Sequence, residues 1–286
     1  MIQKIKHRIW NRITMSRVTQ PLLGRLGSDG ERDLWIFILG NYNSGTTLLY
    51  EILRNQNGVS SLPWEGSRLT HHFTDPNDYG WPRMWHACLE SMQKSESKLS
   101  AVDASHIKRQ WKWSTRSKQK VFIEKSITNA IRIPFLKQYF TPAFFIHIVR
   151  NPYASCEGIQ RKAKPNQNLA KTHLMSYPLS MCAQQWVRSN KMIEEGLEGT
   201  HSIRIRYEDL CKNPEETIKK ITIACPELNA LGVSLENHER LKVHGLDGLI
   251  SDQNQVSISR LTKSDLSEVT HIASKMMEHY GYSITE

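Results

Sequence analysis

Short apolar runs alternate with amphipathic stretches along most of this chain. Leu34 to Leu39 is a continuous apolar run of strand length, and after a glycine-bounded turn Leu48, Leu49, Ile52 and Leu53 recur at helical spacing until Asn57-Gly58. Val121-Phe122-Ile123 and Phe144 to Val149 read as further buried strands, and Ile203, Ile205 and Tyr207 alternate like a half-buried one. Asn151-Pro152 has the form of an N-cap followed by proline at the first helical position, opening a helix toward Arg161. Asn213-Pro214-Glu215-Glu216 repeats the device, with Glu216 spaced for a capping box ahead of Ile218 and Ile221. Strands alternating with helices predict an α/β fold, a three-layer sandwich with a central parallel sheet and helices on both faces. Between Thr70 and Lys120 the periodicity fades, and Trp81, Trp85, Trp111 and Trp113 stand among polar residues. They are either the core of a lid or flat faces for sugar rings.

The turn after the first strand, Gly40 to Thr47, has the spacing of a phosphate-binding loop. Glycines at both ends let the backbone curl round an anion, and the helix that follows aims its free N–H groups at it. Thr46 stands where an ATP-binding loop carries lysine, while Thr47 keeps the hydroxyl position. The other strands end in cations: Ile123-Glu124 runs into Lys125, and Val149 into Arg150. A metal-using nucleotide loop needs an aspartate at such a strand end. Ligands of open α/β sheets bind at these carboxyl ends, so a polyanionic nucleotide held without metal is the expectation.

These segments together resemble the sulfotransferases that use 3′-phosphoadenosine 5′-phosphosulfate (PAPS) as donor, and the resemblance implies their P-loop-like fold. Ser44-Gly45-Thr46-Thr47-Leu48-Leu49 is similar to the family's 5′-phosphosulfate loop and Ile123-Glu124-Lys125-Ser126 to its central strand end. Val149-Arg150-Asn151-Pro152 is similar to its 3′-phosphate motif and Arg206-Tyr207-Glu208-Asp209-Leu210 to its late signature. The tail from Ser251 to Tyr282 resembles the closing segment of the tyrosyl-protein and carbohydrate branches. Two positions depart from the pattern. Asn43 stands where a Lys or Arg usually precedes the loop serine, and Gly158 where a serine usually follows the 3′-phosphate arginine. Ser155, one helical turn earlier than Gly158, is a substitute.

The resemblance implies roles. Asn43, Ser44, Gly45, Thr46 and Thr47 hold the 5′-phosphosulfate; Arg150, with Ser155 and Lys162, grips the 3′-phosphate; Tyr207 and Arg260 complete the nucleotide site. Lys125 is the one readable cation for the sulfuryl group. The base that takes the acceptor's proton is Glu65, with His71 and His72 as rivals. The implied reaction moves a sulfuryl group to an acceptor hydroxyl on a carbohydrate or glycolipid, with peptide tyrosine as the alternative and no metal.

Composition narrows the rest. With 286 residues and 39% hydrophobic content the chain can bury a substantial core, and residues 31–286 read as one domain. Residues 1–30 form a basic arm, since Lys4, Lys6, Arg8, Arg12, Arg17 and Arg25 precede the first acid, Asp29, and supply six of the ten net charges. Ile2, Ile5, Ile9 and Ile13 fall at helical spacing, which suits peripheral contact with an anionic membrane through residues 1–25 or packing on the domain. Neither a membrane anchor nor a signal peptide is read in the chain, and its five scattered cysteines suit a reducing compartment, so a cytoplasmic location is expected. Two readings from other classes remain. A P-loop kinase or ATPase lacks its lysine and its acidic metal ligand, and a non-catalytic anion or nucleic-acid binder lacks a groove-reading motif. No nucleic-acid partner is expected.

Overall fold

The computed structural model describes residues 2–30, 32–115, 119–234, 240–243 and 246–284. Five strands, β1 (Leu34–Gly40), β2 (Val59–Ser61), β3 (Val121–Glu124), β4 (Ala143–Val149) and β5 (Ser202–Arg206), pair in the order β2-β3-β1-β4-β5, every pair parallel. A hairpin, β6 (Arg240–Val243) and β7 (Leu246–Leu249), stands apart. The helices are α1 (Ile2–Met15), α2 (Gln20–Arg25), α3 (Thr46–Arg54), α4 (Leu89–Glu96), α5 (Ala101–Thr115), α6 (Ile133–Tyr139) and α7 (Pro152–Lys162). They continue with α8 (Gln167–Ala170), α9 (Leu179–Leu197), α10 (Tyr207–Lys212), α11 (Pro214–Ala224), α12 (Pro226–Ala230), α13 (Asn254–Ile258) and α14 (Lys263–His279).

The pleat of β1 shows why this is a three-layer fold. Trp35, Phe37 and Leu39 point into a core shared with α5, α7, α9 and α14, while Leu34, Ile36 and Ile38 point into a second core shared with α3 and α11. Every residue of the strand is buried, as expected of a strand covered on both faces. The glycine-bounded turn therefore emerges from the middle of the sheet, beside the carboxyl ends of β3 and β4.

Several local expectations hold. Leu48, Leu49, Ile52 and Leu53 are all buried, and Asn151 caps α7 by accepting from the N–H groups of Tyr153 and Ala154. Others are corrected. The capping box at Asn213 does not form: its N–H is taken by Asp209 O as the end of α10, and Glu216 pairs with Lys220 at 2.8 Å instead. The alternating strand stops at Arg206, and Tyr207 opens α10. Trp85 and Trp111 are fully buried, Trp111 donating to Gly66 O at 2.9 Å, and Trp81 stacks on Tyr177. These three tryptophans belong to the core cluster or pack against it, and Trp113 pairs with Trp10.

The arm lies along the domain. Trp10 Nε1 donates to Trp113 O at 3.0 Å, and the fully buried Gln20 donates to Arg68 O at 3.0 Å. Ile9 is exposed. The side chains of Ile2, Lys4, Ile5, Lys6 and Arg8 lie outside the described residues. Among the described residues, no helix is long and apolar enough to cross a membrane, and all five cysteines are free thiols.

Candidate active site

At the carboxyl ends of the strands lies a cavity of about 720 Å³. Seven cationic side chains line it, Arg68, Arg83, Lys125, Arg150, Arg161, Lys162 and Arg260, against two carboxylates, Glu65 and Asp75. A low-dielectric cleft with that excess attracts and holds anions.

The loop forms its floor. Gly45 adopts φ +96°, and a Cβ there would lie 2.4 Å from the Tyr207 ring, so glycine is required both for the turn and for the close approach. Asn43 adopts φ +63°, a left-handed conformation that asparagine tolerates better than most side chains. Thr46 and Thr47 start α3 and line the cavity, and the first N–H groups of a helix have no acceptor within it. Ser44 is buried behind them and its hydroxyl has no partner.

At one end, Lys125 Nζ lies 3.2 Å from Glu65 Oε1 and 3.5 Å from Thr47 Oγ1. The backbone under Glu65 is fixed from below. Glu124 is fully buried, accepts from Gly66 N–H at 2.8 Å and also binds Ser126 and Asn129, while burial raises its carboxyl above the ordinary value. Glu124 is therefore a scaffold for the Glu65 turn. Arg68, Asp75 and Asn77 line the same cavity.

At the other end, Arg150 leaves β4 and is 8% exposed. Its Nη1 donates to Asn43 O at 2.8 Å and its Nε to Asn254 Oδ1 at 2.7 Å, and the guanidinium lies 4.2 Å over the Tyr207 ring. Its buried Nη2 has no partner. Asn254 in turn donates to Glu208 Oε1 at 2.7 Å, which also accepts from Asn151 N–H at 2.9 Å, and Glu208 Oε2 accepts from Tyr282 OH at 2.9 Å. Tyr207 OH is held by Gln253 N–H at 3.2 Å. Lys162 Nζ donates to Asn43 Oδ1 at 3.0 Å, and partial loss of solvent together with Arg83, Arg161 and Arg150 pushes its amino group below the ordinary value. Ser155 is fully buried with an unpartnered hydroxyl, behind the cavity wall. Arg260 reaches the cavity while pairing with Glu157 at 3.3 Å.

His71 and His72 face elsewhere. His71 Nδ1 meets Gln110 Nε2 at 3.1 Å, and His72 Nδ1 lies 3.1 Å from Asp103. Neither lines the cavity. Burial and the neighbouring His71 push the His72 imidazole down to about 4. Besides Lys125, Arg83 is a further cation of this cavity that the sequence does not mark, its Nη1 donating to Asn43 Oδ1 at 3.4 Å. Arg83 stands in a Pro-Arg-Met-Trp stretch that matches no motif, so nothing local marks it. Asn254 was equally unmarked, and Glu208 stood out only as part of the late signature.

The sulfotransferase family's sequence profile matches residues 36–227. No curated protein matches the chain. Among solved structures, sulfotransferase STF9 from Mycobacterium avium is similar at a TM-score of 0.50, with 12% identity over 96% of this chain and 83% of that one. A sulfotransferase domain from the curacin biosynthetic pathway has a TM-score of 0.49 and 19% identity, covering 87% and 98% of the two chains. Mouse sulfotransferase SULT7A1, solved with PAP, has a TM-score of 0.46 and 15% identity, covering 93% and 91%.

Proposed function

The chain belongs to the sulfotransferase family, and from that premise we propose that it moves the sulfuryl group of PAPS to an acceptor hydroxyl. Residues 31–286 are the catalytic domain and residues 1–30 its basic arm. The observation that carries the donor assignment is the cavity's two-ended charge, with Lys125 beside Thr47 and Glu65 at one end and the unsatisfied Nη2 of Arg150 at the other. Sulfuryl transfer, like phosphoryl transfer, asks a protein mainly to align two oxygens and neutralise charge.

In this reading the loop amides, Thr46 and Thr47 hold the 5′-phosphosulfate. Arg150 and Lys162 take the 3′-phosphate, with Ser155 behind them and Tyr207 and Arg260 beside them. Glu65 removes the acceptor's proton, and Lys125, within reach of both Glu65 and Thr47, meets the charge growing on the bridging oxygen. Strand ends bearing Lys125 and Arg150 support metal-independent binding.

The acceptor we propose is a carbohydrate or glycolipid hydroxyl. Arg68, Asp75 and Asn77 offer that end of the cavity donors and acceptors suited to sugar hydroxyls. The arm abuts this end, through Gln20 on Arg68 O and Arg17 3.7 Å from Asp78. It exposes Val18, Leu22 and Leu26 beside Arg17 and Arg25, which supports peripheral contact with an anionic bilayer from the cytoplasmic side.

The test is thermal stabilisation by adenosine 3′,5′-bisphosphate compared with ATP, followed by PAPS consumption with a panel of hydroxyl acceptors in excess chelator. Stabilisation by ATP with Mg²⁺ alone would sink the donor assignment.

A further inference from the structure

Both departures from the family's pattern, Asn43 and Gly158, meet at one point. A Cβ at Gly158 would lie 2.8 Å from Asn43 Cγ and 3.0 Å from its Nδ2, closer than packed atoms allow, so serine there excludes the Asn43 side chain in this position. The absence of a side chain at 158 is what gives the Asn43 amide its place. In that place Asn43 Oδ1 accepts from Lys162 Nζ at 3.0 Å and from Arg83 Nη1 at 3.4 Å. A Lys or Arg at position 43 would instead drive a third cation between those two.

Arg83 is built to be presented. It adopts φ +58°, a conformation uncommon for a long side chain and typical of residues held in place for function. The backbone on either side is anchored: Tyr177 OH donates to Pro82 O at 2.8 Å, and Met84 and Trp85 are fully buried. Its guanidinium lies 5.9 Å over the Tyr42 ring and lines the cavity. Among the described residues it has no carboxylate partner within ion-pair distance, and it adds to the positive field that pushes Lys162 down.

Resting on the donor reading above, we propose that Arg83 gives the 5′-phosphosulfate the positive charge that loop position 43 gives it elsewhere in the family, and that Asn43 seated over Gly158 aims it. Arg83 thus comes to the donor from outside the phosphate loop, which ties donor binding to the segment that also borders the acceptor.

The experiment compares two ligands by calorimetric titration: adenosine 3′,5′-bisphosphate, which carries a 5′-phosphate, and adenosine 3′-monophosphate, which does not. Arg83→Asn removes the charge while suiting the backbone, and should weaken the bisphosphate about tenfold or more and the monophosphate less than about twofold. Arg83→Lys should keep most of the affinity, which a folding defect would not allow. Equal losses for both ligands, or none for either, would overturn the assignment. Gly158→Ala, which adds the clashing Cβ without a hydroxyl for the 3′-phosphate, should weaken the bisphosphate with Asn43 in place but not in an Asn43→Gly background; if it is harmless beside Asn43, the bracket does not aim Arg83. A wild-type chain that binds neither nucleotide would remove the donor reading as well.

Discussion

The roles proposed for Arg150 and Glu65 are the two most separable in the cavity. Arg150 already spends Nε on Asn254 and Nη1 on Asn43 and keeps Nη2 unsatisfied, so under the proposed role a 3′-phosphate would complete its hydrogen bonding. Arg150→Ala should cost about 1.5–3 kcal/mol in bisphosphate binding, read by titration, and should barely change the affinity for adenosine 5′-phosphosulfate, which lacks the 3′-phosphate. Glu65→Gln keeps shape but loses proton affinity, so kcat should fall by roughly 10² to 10⁴ with donor binding nearly unchanged. Normal turnover in that variant would remove Glu65 as the base. Asn43→Arg is not expected to supply a missing cation, because Arg83 and Lys162 already converge on that side chain. Sequence motifs pointed to Arg150, Lys125 and the loop residues. Arg83 was invisible, because its value lies in where a left-handed turn in an unpatterned segment delivers it.

Single contacts join several elements, and Glu208 shows it best. One carboxylate ties the start of α7 through Asn151, α13 through Asn254 and the end of the chain through Tyr282, and Asn254 passes the constraint to Arg150. Glu208→Ala should lower unfolding stability by about 2–3 kcal/mol, measured as a shift of the urea midpoint with unchanged slope. It should also weaken the bisphosphate with Arg150 intact. A variant as stable as wild type would show that those acceptors are replaced by water. The elements β1, β4 and α3 were legible because buried faces impose apolar runs and helical spacing, and α7 because Asn151-Pro152 marks its start. The capping box at Asn213 failed for a local reason that spacing does not encode: one N–H was already bonded to the preceding helix.

On the scale of the whole molecule, burial lowers two histidines far apart, His72 and His147, to about 4. Both are neutral in the fold and titrate near 6.5 when unfolded, so unfolding takes up protons between those values. Their contribution to stability is complete above about pH 6.5 and is lost as the pH falls toward 4. The melting temperature should therefore drop between pH 7 and 5, and less so in a His72→Gln/His147→Gln variant. Parallel slopes would mean that other groups govern the acid limb. What the sequence by itself determined is the layered α/β architecture, the glycine-bounded loop between β1 and α3 and the family, because strand and helix periodicity and an ordered set of short motifs are local properties. Only the tertiary structure decided which side chains meet. It joined Glu65 to Lys125, buried Trp85 and Trp111 in the core, turned His71 and His72 away, and set Asn43 over Gly158 with Arg83 alongside. Those pairings join residues far apart in the chain and depend on packing fixed to within a few tenths of an ångström, which no spacing along the chain records.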